Sequence, residues 1–309
     1  MMCVVTKPPV VVGLGEVLWD HLPQGKRWGG APANFACQAG QLGAEAWIVS
    51  AIGNDFEGEA LLKAVQERNI ETCVPTDPHQ ATGIVNVTLD AKGSPSYDIV
   101  TNRAWDHIPF TPRMQALAER ADAVAFGTLA QRSVRSRATI HEFLQHTRMD
   151  CLRIFDVNLR QTFFSHEIIV DSMQLADVLK VSEDELLILS EMLGFPKAPL
   201  EFAAAVMDRF VVRYVVLTRG ERGCMIITKD DHADFEGVPT DVVDSVGAGD
   251  AFLASVTMGL LNGVDIHLLA VMACRIAASV CAQEGATPIL PGDLTTDFIN
   301  TLSPIEDAS

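Results

Sequence analysis

The chain has 309 residues, with 23 Lys and Arg against 40 Asp and Glu, so its formal net charge is −17. That balance argues against nucleic acid or an anionic membrane surface as a primary partner, because both recruit proteins through basic patches. At 48% hydrophobic and 20% charged residues, the composition is that of a folded globule with a sizeable core, not a disordered or fibrous chain.

Short runs rich in Val and Ile alternate with helical patterns, as buried parallel strands and crossover helices do. In chain order, strands are predicted over 10–12, 47–52, 123–126, 152–155, 178–181 and 214–217. Helices are predicted over 57–68, 114–119, 137–147, 184–193, 202–210, 248–262 and 266–283. The fold class is therefore α/β, doubly wound, with ligands expected beyond the carboxyl ends of the strands. Between Gly83 and Thr101 the rhythm changes: Val85, Val87 and Leu89 alternate with Asn86, Thr88 and Asp90, and a Lys92-Gly93-Ser94-Pro95 turn leads to Tyr97 and Ile99. That is a hairpin with one half-buried face, suited equally to a lid across the strand ends or to a sheet edge. Residues 303–309 are expected to fray.

The seven cysteines, Cys3, Cys37, Cys73, Cys151, Cys224, Cys274 and Cys281, include no C-x-x-C pair and predict reduced thiols instead of a disulfide frame or a zinc site. There is no basic segment leading into a signal-like apolar run at the start. No apolar run reaches the roughly 18 residues of a membrane helix; the longest candidate, 268–282, carries Arg275. A cytoplasmic protein is expected.

The strongest chemical signal is Asp244-Ser245-Val246-Gly247-Ala248-Gly249-Asp250 running into the apolar segment 251–258. A Gly-Ala-Gly turn opening a helix leaves backbone N–H groups unpaired at the positive end of the helix dipole, a place that binds anions, phosphate oxygens above all. Asp250 could accept a proton there or merely cap the helix. Thr218-Arg219-Gly220-Glu221-Arg222-Gly223 joins two apolar runs, as a plain hairpin does or as a turn that admits a nucleotide. Ser182-x-x-Glu185 has the spacing of a helix capping box, which competes with a metal role for the Glu185 carboxylate. Asp156, Asn158 and Arg160 follow a strand end, and period-two geometry points them one way, toward a ligand or toward solvent. Gly29-Gly30-Ala31-Pro32-Ala33-Asn34 opens a helix of small residues in which Gly30 permits close backbone approach and Asn34 suits hydroxyls. Asp20 could serve likewise, although such a residue is usually solvated.

Jointly, GGAPANFA at 29–36, GNDFEG at 53–58, DVNLR at 156–160, KVSEDE at 180–185, TRGERG at 218–223 and DSVGAGDAF at 244–252 resemble, in order and over nearly the whole chain, the ribokinase-like or PfkB carbohydrate kinases. The resemblance implies a three-layer α/β/α sandwich over 1–309 with a small β lid from inserted strands near 15–30 and 83–105. It implies Asp250 as catalytic base and the amides of Gly247, Ala248, Gly249 and Asp250 as an anion hole. It places Thr218, Gly220 and Gly223 near ATP, Asp20, Gly30 and Asn34 on sugar hydroxyls, and Arg160 on the sugar or phosphate side. Glu185 and Asn158 would lie near magnesium, and Asp244 would organise the loop or help bind a monovalent cation such as potassium. Ser182 stands where the family often has Asn, and Ser255 where Gly is common. A homodimer paired through the lid is consistent with the resemblance. The motifs are closest to fructokinases; a 2-keto-3-deoxygluconate kinase is the alternative, with Arg103 meeting the substrate carboxylate, and a catalytically silent sugar- or nucleotide-binding regulator is the alternative of another class. The chain lacks a GxxxxGK[ST] loop and the third glycine of a dinucleotide fingerprint after Gly13-Leu14-Gly15, which removes P-loop kinases and Rossmann dehydrogenases.

Overall fold

Val10, Val12 and Leu14 pack into one apolar core and Val11 into another, the period-two split of a strand buried on both faces. The computed structural model describes residues 7–23, 25–89 and 95–302, and this segment is its first strand, β1 (Val10–Leu14). With β4 (Glu45–Val49), β6 (Glu71–Cys73), β10 (Ala123–Gly127), β11 (Leu152–Asp156), β12 (Val178–Ser182) and β13 (Tyr214–Thr218) it forms a parallel sheet, extended antiparallel by β14 (Cys224–Ile227) and β15 (His232–Phe235). The strand order is β15-β14-β13-β12-β11-β10-β1-β4-β6. The chain leaves β1 toward β4 on one side and returns to β10 on the other, so the switch point where such sheets bind ligands lies at the carboxyl ends of β1 and β10.

One face of the sheet is covered by α1 (Ala31–Gln41), α8 (Ala248–Leu261), α9 (Ile266–Cys281) and α10 (Gly292–Leu302). The other is covered by α3 (Pro112–Ala118), α4 (Val134–Gln145), α5 (His166–Leu175), α6 (Glu183–Leu193) and α7 (Pro199–Arg209). A smaller sheet, β3-β2-β8-β9, is built from β2 (Leu18–Leu22), β3 (Gly25–Gly29), β8 (Gly83–Leu89) and β9 (Pro95–Ile99). A third core joins it to α1 and to α2 (Phe56–Gln66), through Val17, Trp19, Leu61 and Val65.

The hairpin read from 83–101 is present as the antiparallel pair β8 and β9, with Val85, Val87 and Ile99 on its buried face. Residues 92–94 of its turn, and 303–309, lie outside the described residues. Two differences have local causes. The strand expected over 47–52 stops at Val49, and Ile52–Gly53 becomes β5, pairing with β7 (Thr76–Asp77). Helix α5 was not predicted, because Ile168, Ile169 and Val170 form a β-branched run that suits a strand. The Ser165 hydroxyl, accepting the Ile168 amide at 3.2 Å, starts the helix instead.

Candidate active site

Helix α8 begins without a side-chain cap, on Gly247 in the left-handed conformation (φ 79°). A Cβ at that position would lie 2.1 Å from the Ala286 carbonyl oxygen, so only glycine fits. Among the described residues, the amides of Gly249 and Asp250 have no backbone or side-chain acceptor, leaving two donors free where the helix dipole is positive. Asp250 follows in the first turn, and its Oδ2 accepts a 2.8 Å hydrogen bond from Asn34 Nδ2 on α1. The Asn34 Oδ1 is buried with no partner. Burial pushes the Asp250 carboxyl up to about 6 and Asp156 adds to the shift, against the Asn34 hydrogen bond, Lys180 and Arg160.

Asp244 lies outside this centre, as a brace for the turn: its Oδ1 accepts from the Val246 amide and its Oδ2 from the Gly285 amide, both at 3.0 Å. Glu185 forms the capping box expected of Ser182-x-x-Glu185. Its Oε2 accepts from the Ser182 amide and its Oε1 from the Leu159 amide, each at 2.8 Å. One carboxylate thus starts α6 and ties down the turn after β11. The period-two reading of that turn holds only to Asp156, where β11 ends; Asn158 adopts a left-handed backbone (φ 41°). Asn158 still lines a small cavity with Glu16, Thr128 and Asp156. Arg160 is exposed, yet its charge acts on Glu16, Asp20, Asp156 and Asp250.

Asp20 is not the solvated loop residue that its local sequence suggests. It sits in β2 against Gly29, where a Cβ would come within 2.4 Å of its Oδ2, and burial raises its carboxyl to about 6 despite Arg160. Gly30 (φ 109°) would bring a Cβ within 2.4 Å of the Glu16 carbonyl oxygen. Arg103 has a buried Nε with no partner, and its charge helps to lower the carboxyl of Asp55, the residue that caps α2. Thr218, Gly220 and Gly223 line a separate cleft of about 800 Å³ with Ser245, Ala248, Gly249 and the 236–240 loop, a volume suited to a nucleotide-sized ligand. Gly249 belongs to the cleft wall, and the next residue, Asp250, is paired with Asn34.

Two residues to which the motif reading gave no role complete the site. Lys180 lies in the buried strand β12, with Nζ 2.8 Å from Asp156 Oδ1 and 3.5 Å from where a Gly249 Cβ would stand. Burial alone would lower its pKa, but Asp156, Glu185 and Asp250 hold it above the ordinary lysine value. A lysine among the Val and Leu of a fully buried strand was the available signal, since lysines are almost never buried unless paired. Glu16 follows β1 and is 4% exposed, with Oε2 unpartnered. Burial raises its carboxyl to about 7, with its own backbone amide and Arg160 opposing.

The Glu16 shift has a consequence for stability. A carboxyl raised from 4.5 to about 7 favours the fold while neutral, a contribution fully present below the unfolded pKa and lost as pH rises through about 7. Glu16→Gln is therefore expected to raise unfolding free energy by about 2–3 kcal/mol at pH 8 and by almost nothing at pH 4. Urea denaturation at the two pH values measures this, and equal effects at both would contradict it.

The pfkB family carbohydrate kinase model matches residues 23–292. The chain belongs to this kinase family. A sugar kinase of Pyrococcus horikoshii is 30% identical over 297 residues, covering 90% of this kinase and 91% of the relative. Fructokinase-2 of Zea mays is 27% identical over 310 residues, covering 91% of each chain. The structure of the Pyrococcus horikoshii sugar kinase in complex with ATP superposes with a TM-score of 0.80 at 26% identity, covering 95% of this kinase and 100% of that chain. The ribokinase-like α/β architecture expected from the motifs is therefore the fold of this kinase. No helix among its described residues is long and apolar enough to cross a membrane.

Proposed function

We propose that this kinase transfers the γ-phosphoryl group of ATP to a hydroxyl of a neutral sugar, D-fructose first among them, with Asp250 as the base. The observation that carries the reading is the Asn34–Asp250 pair at an uncapped helix start whose preceding residues, Ala248 and Gly249, face the larger cleft. A hydroxyl held by Asn34 and Asp20 under the smaller sheet, acting as a lid, would present its oxygen across the turn to the phosphate. Asp250 takes the hydroxyl proton as that oxygen attacks phosphorus. The free amides of Gly249 and Asp250 meet the charge on the transferring group, while that of Ala248 is held by the Ser245 carbonyl. Phosphoryl transfer has a loose transition state, so positioning and charge stabilisation carry most of the catalysis. Lys180 adds a fixed positive charge beside the turn, and Arg160 closes the acceptor side.

Among the described residues no three His, Cys, Asp or Glu side chains gather to hold a cation. Magnesium arriving on nucleotide phosphates asks for only one or two protein carboxylates, and Glu185 and Asn158 would stand beside it. When bound, the ion neutralises phosphate charge. Thr218, Gly220 and Gly223 would hold the nucleotide.

Charge selects the acceptor class. Glu16, Asp20 and Asp250 stand against Arg160, with Lys180 acting on Asp250 as well, so a sugar acid would add a carboxylate to a group in which acids outnumber bases. The fructokinase relative supports fructose within the neutral class. A coupled ADP-release assay across neutral hexoses, pentoses and sugar acids tests this. Neutral sugars, fructose highest, are expected to exceed sugar acids in kcat/KM by at least tenfold, about 1.4 kcal/mol; a preference for a sugar acid would refute the assignment.

A further inference from the structure

Cys224 and Cys274 take no part in the phosphoryl transfer described above, yet they meet at one wall of the larger cleft. Cys224 opens β14 and pairs with Thr218 across the β13–β14 ladder. Its side chain is fully buried in the core between the sheet and α9. Cys274 lies on α9, and with Ala277, Ala278 and Cys281 it lines the cleft, at the i, i+3, i+4, i+7 spacing of one helix face. The two sulfurs are 3.5 Å apart. Their contact joins two structures that bound the cleft, the turn carrying Gly220 and Gly223 and the wall made by α9.

The cysteines among the described residues are free thiols. A disulfide asks its sulfurs to stand about 2.05 Å apart, so this pair, at 3.5 Å, has to close by about 1.5 Å. Of the two, Cys274 alone meets the cleft, through which a small oxidant reaches it; it is 7% exposed and Cys224 is 0%. A hydrogen bond from Cys224 holds the Cys274 thiol below the ordinary cysteine value, with Arg219 aiding and burial opposing. The thiolate is the form that oxidants attack, so Cys274 is the first to react and Cys224 stands in place to resolve it.

We propose that Cys274 and Cys224 form a site of reversible oxidation by hydroperoxides, and that the disulfide made there weakens ATP binding in the larger cleft. The proposal rests on the reading of that cleft as the nucleotide site. In the first step the Cys274 thiolate attacks hydrogen peroxide: the O–O bond breaks, an S–O bond forms, and hydroxide leaves. In the second the Cys224 sulfur attacks the Cys274 sulfur, the S–O bond breaks, and the hydroxyl departs as water with a proton. Together, two thiols and one peroxide give one disulfide and two waters. A dithiol reverses the bond by exchange, which keeps it transient in a reducing compartment. Drawing the sulfurs together shifts α9 against β14 in a close-packed interior that cannot absorb the movement in place, and the cleft walls move with it. By linkage, ATP in the cleft must resist the oxidation by the factor that oxidation weakens ATP.

The test treats the full-length kinase with hydrogen peroxide and follows three quantities. Peptide mapping without reductant should find residues 224 and 274 cross-linked. Isothermal titration with ATP alone should show affinity weakened about tenfold, within the usual span of such couplings, and recovered with dithiothreitol. Saturating ATP should suppress cross-linking by a similar factor. In Cys274→Ala, peroxide should leave the variant's own ATP affinity unchanged; in Cys224→Ala, oxidation should halt at a Cys274 sulfenic acid that dimedone traps. Cross-linking with ATP affinity intact, loss of affinity without the 224–274 link, or resistance conferred by Cys281→Ala in place of Cys274→Ala would overturn the proposal. Failure of the nucleotide-site reading shows separately, as absence of ATP binding to the fully reduced kinase.

Discussion

Asp250→Asn is expected to lower kcat by about 10²–10⁴-fold, the range for loss of a general base, while fructose affinity changes little. The substitution keeps the shape of the side chain and leaves a partner for Asn34, whose Nδ2 is 2.8 Å from Asp250 Oδ2 in the native pair. What it removes is the capacity to take a proton. Isothermal titration of fructose beside steady-state kinetics separates the two quantities; near-native turnover would place the base elsewhere. The same carboxyl sets a pH dependence. Its pKa is raised to about 6 by burial, and the base works only when ionised, so kcat/KM should climb with unit slope below about pH 6 and flatten above it. In Asp250→Asn that limb should vanish from the residual rate.

The second large effect is expected at Lys180. Lys180→Met removes the buried cation beside Gly249 and leaves Asp156 without its 2.8 Å partner. Removing one member of a buried pair destabilises by about 3–5 kcal/mol, and losing one preorganised charge at a phosphoryl site costs about 10²–10³ in kcat. The two consequences separate in Lys180→Met with Asp156→Leu, which leaves no orphan charge. That double variant should recover most of the melting temperature and none of the activity. If activity returned with stability, the lysine would be a structural counter-ion and nothing more.

Why these two residues differed in legibility is a matter of distance along the chain. The Gly247–Asp250 turn is a local signal, because glycines, helix start and acid all fall within seven residues, and the fold places it as that pattern implies. Glu185 was half legible: its capping box is local, but its bond to Leu159 spans 26 residues and only folding creates it. Lys180 and Glu16 acquire their character from neighbours supplied by other strands, so no spacing rule marks them. Asp20 reads as a loop residue until β2 and β3 pair around it. The 236–240 wall of the larger cleft carries no pattern of its own and is placed by β15 and α9.

The negative charge of the whole chain, −17, does not oppose ATP binding under this account. The phosphates would meet backbone amides and Lys180 locally. The central claim is that these groups join a sugar hydroxyl to the γ-phosphoryl group. Phosphorus NMR of the purified kinase with D-fructose, ATP and magnesium reads that event directly. The account predicts a new phosphomonoester resonance growing in equal amount with ADP; ADP without a phosphomonoester, or fructose binding with neither product, would contradict it.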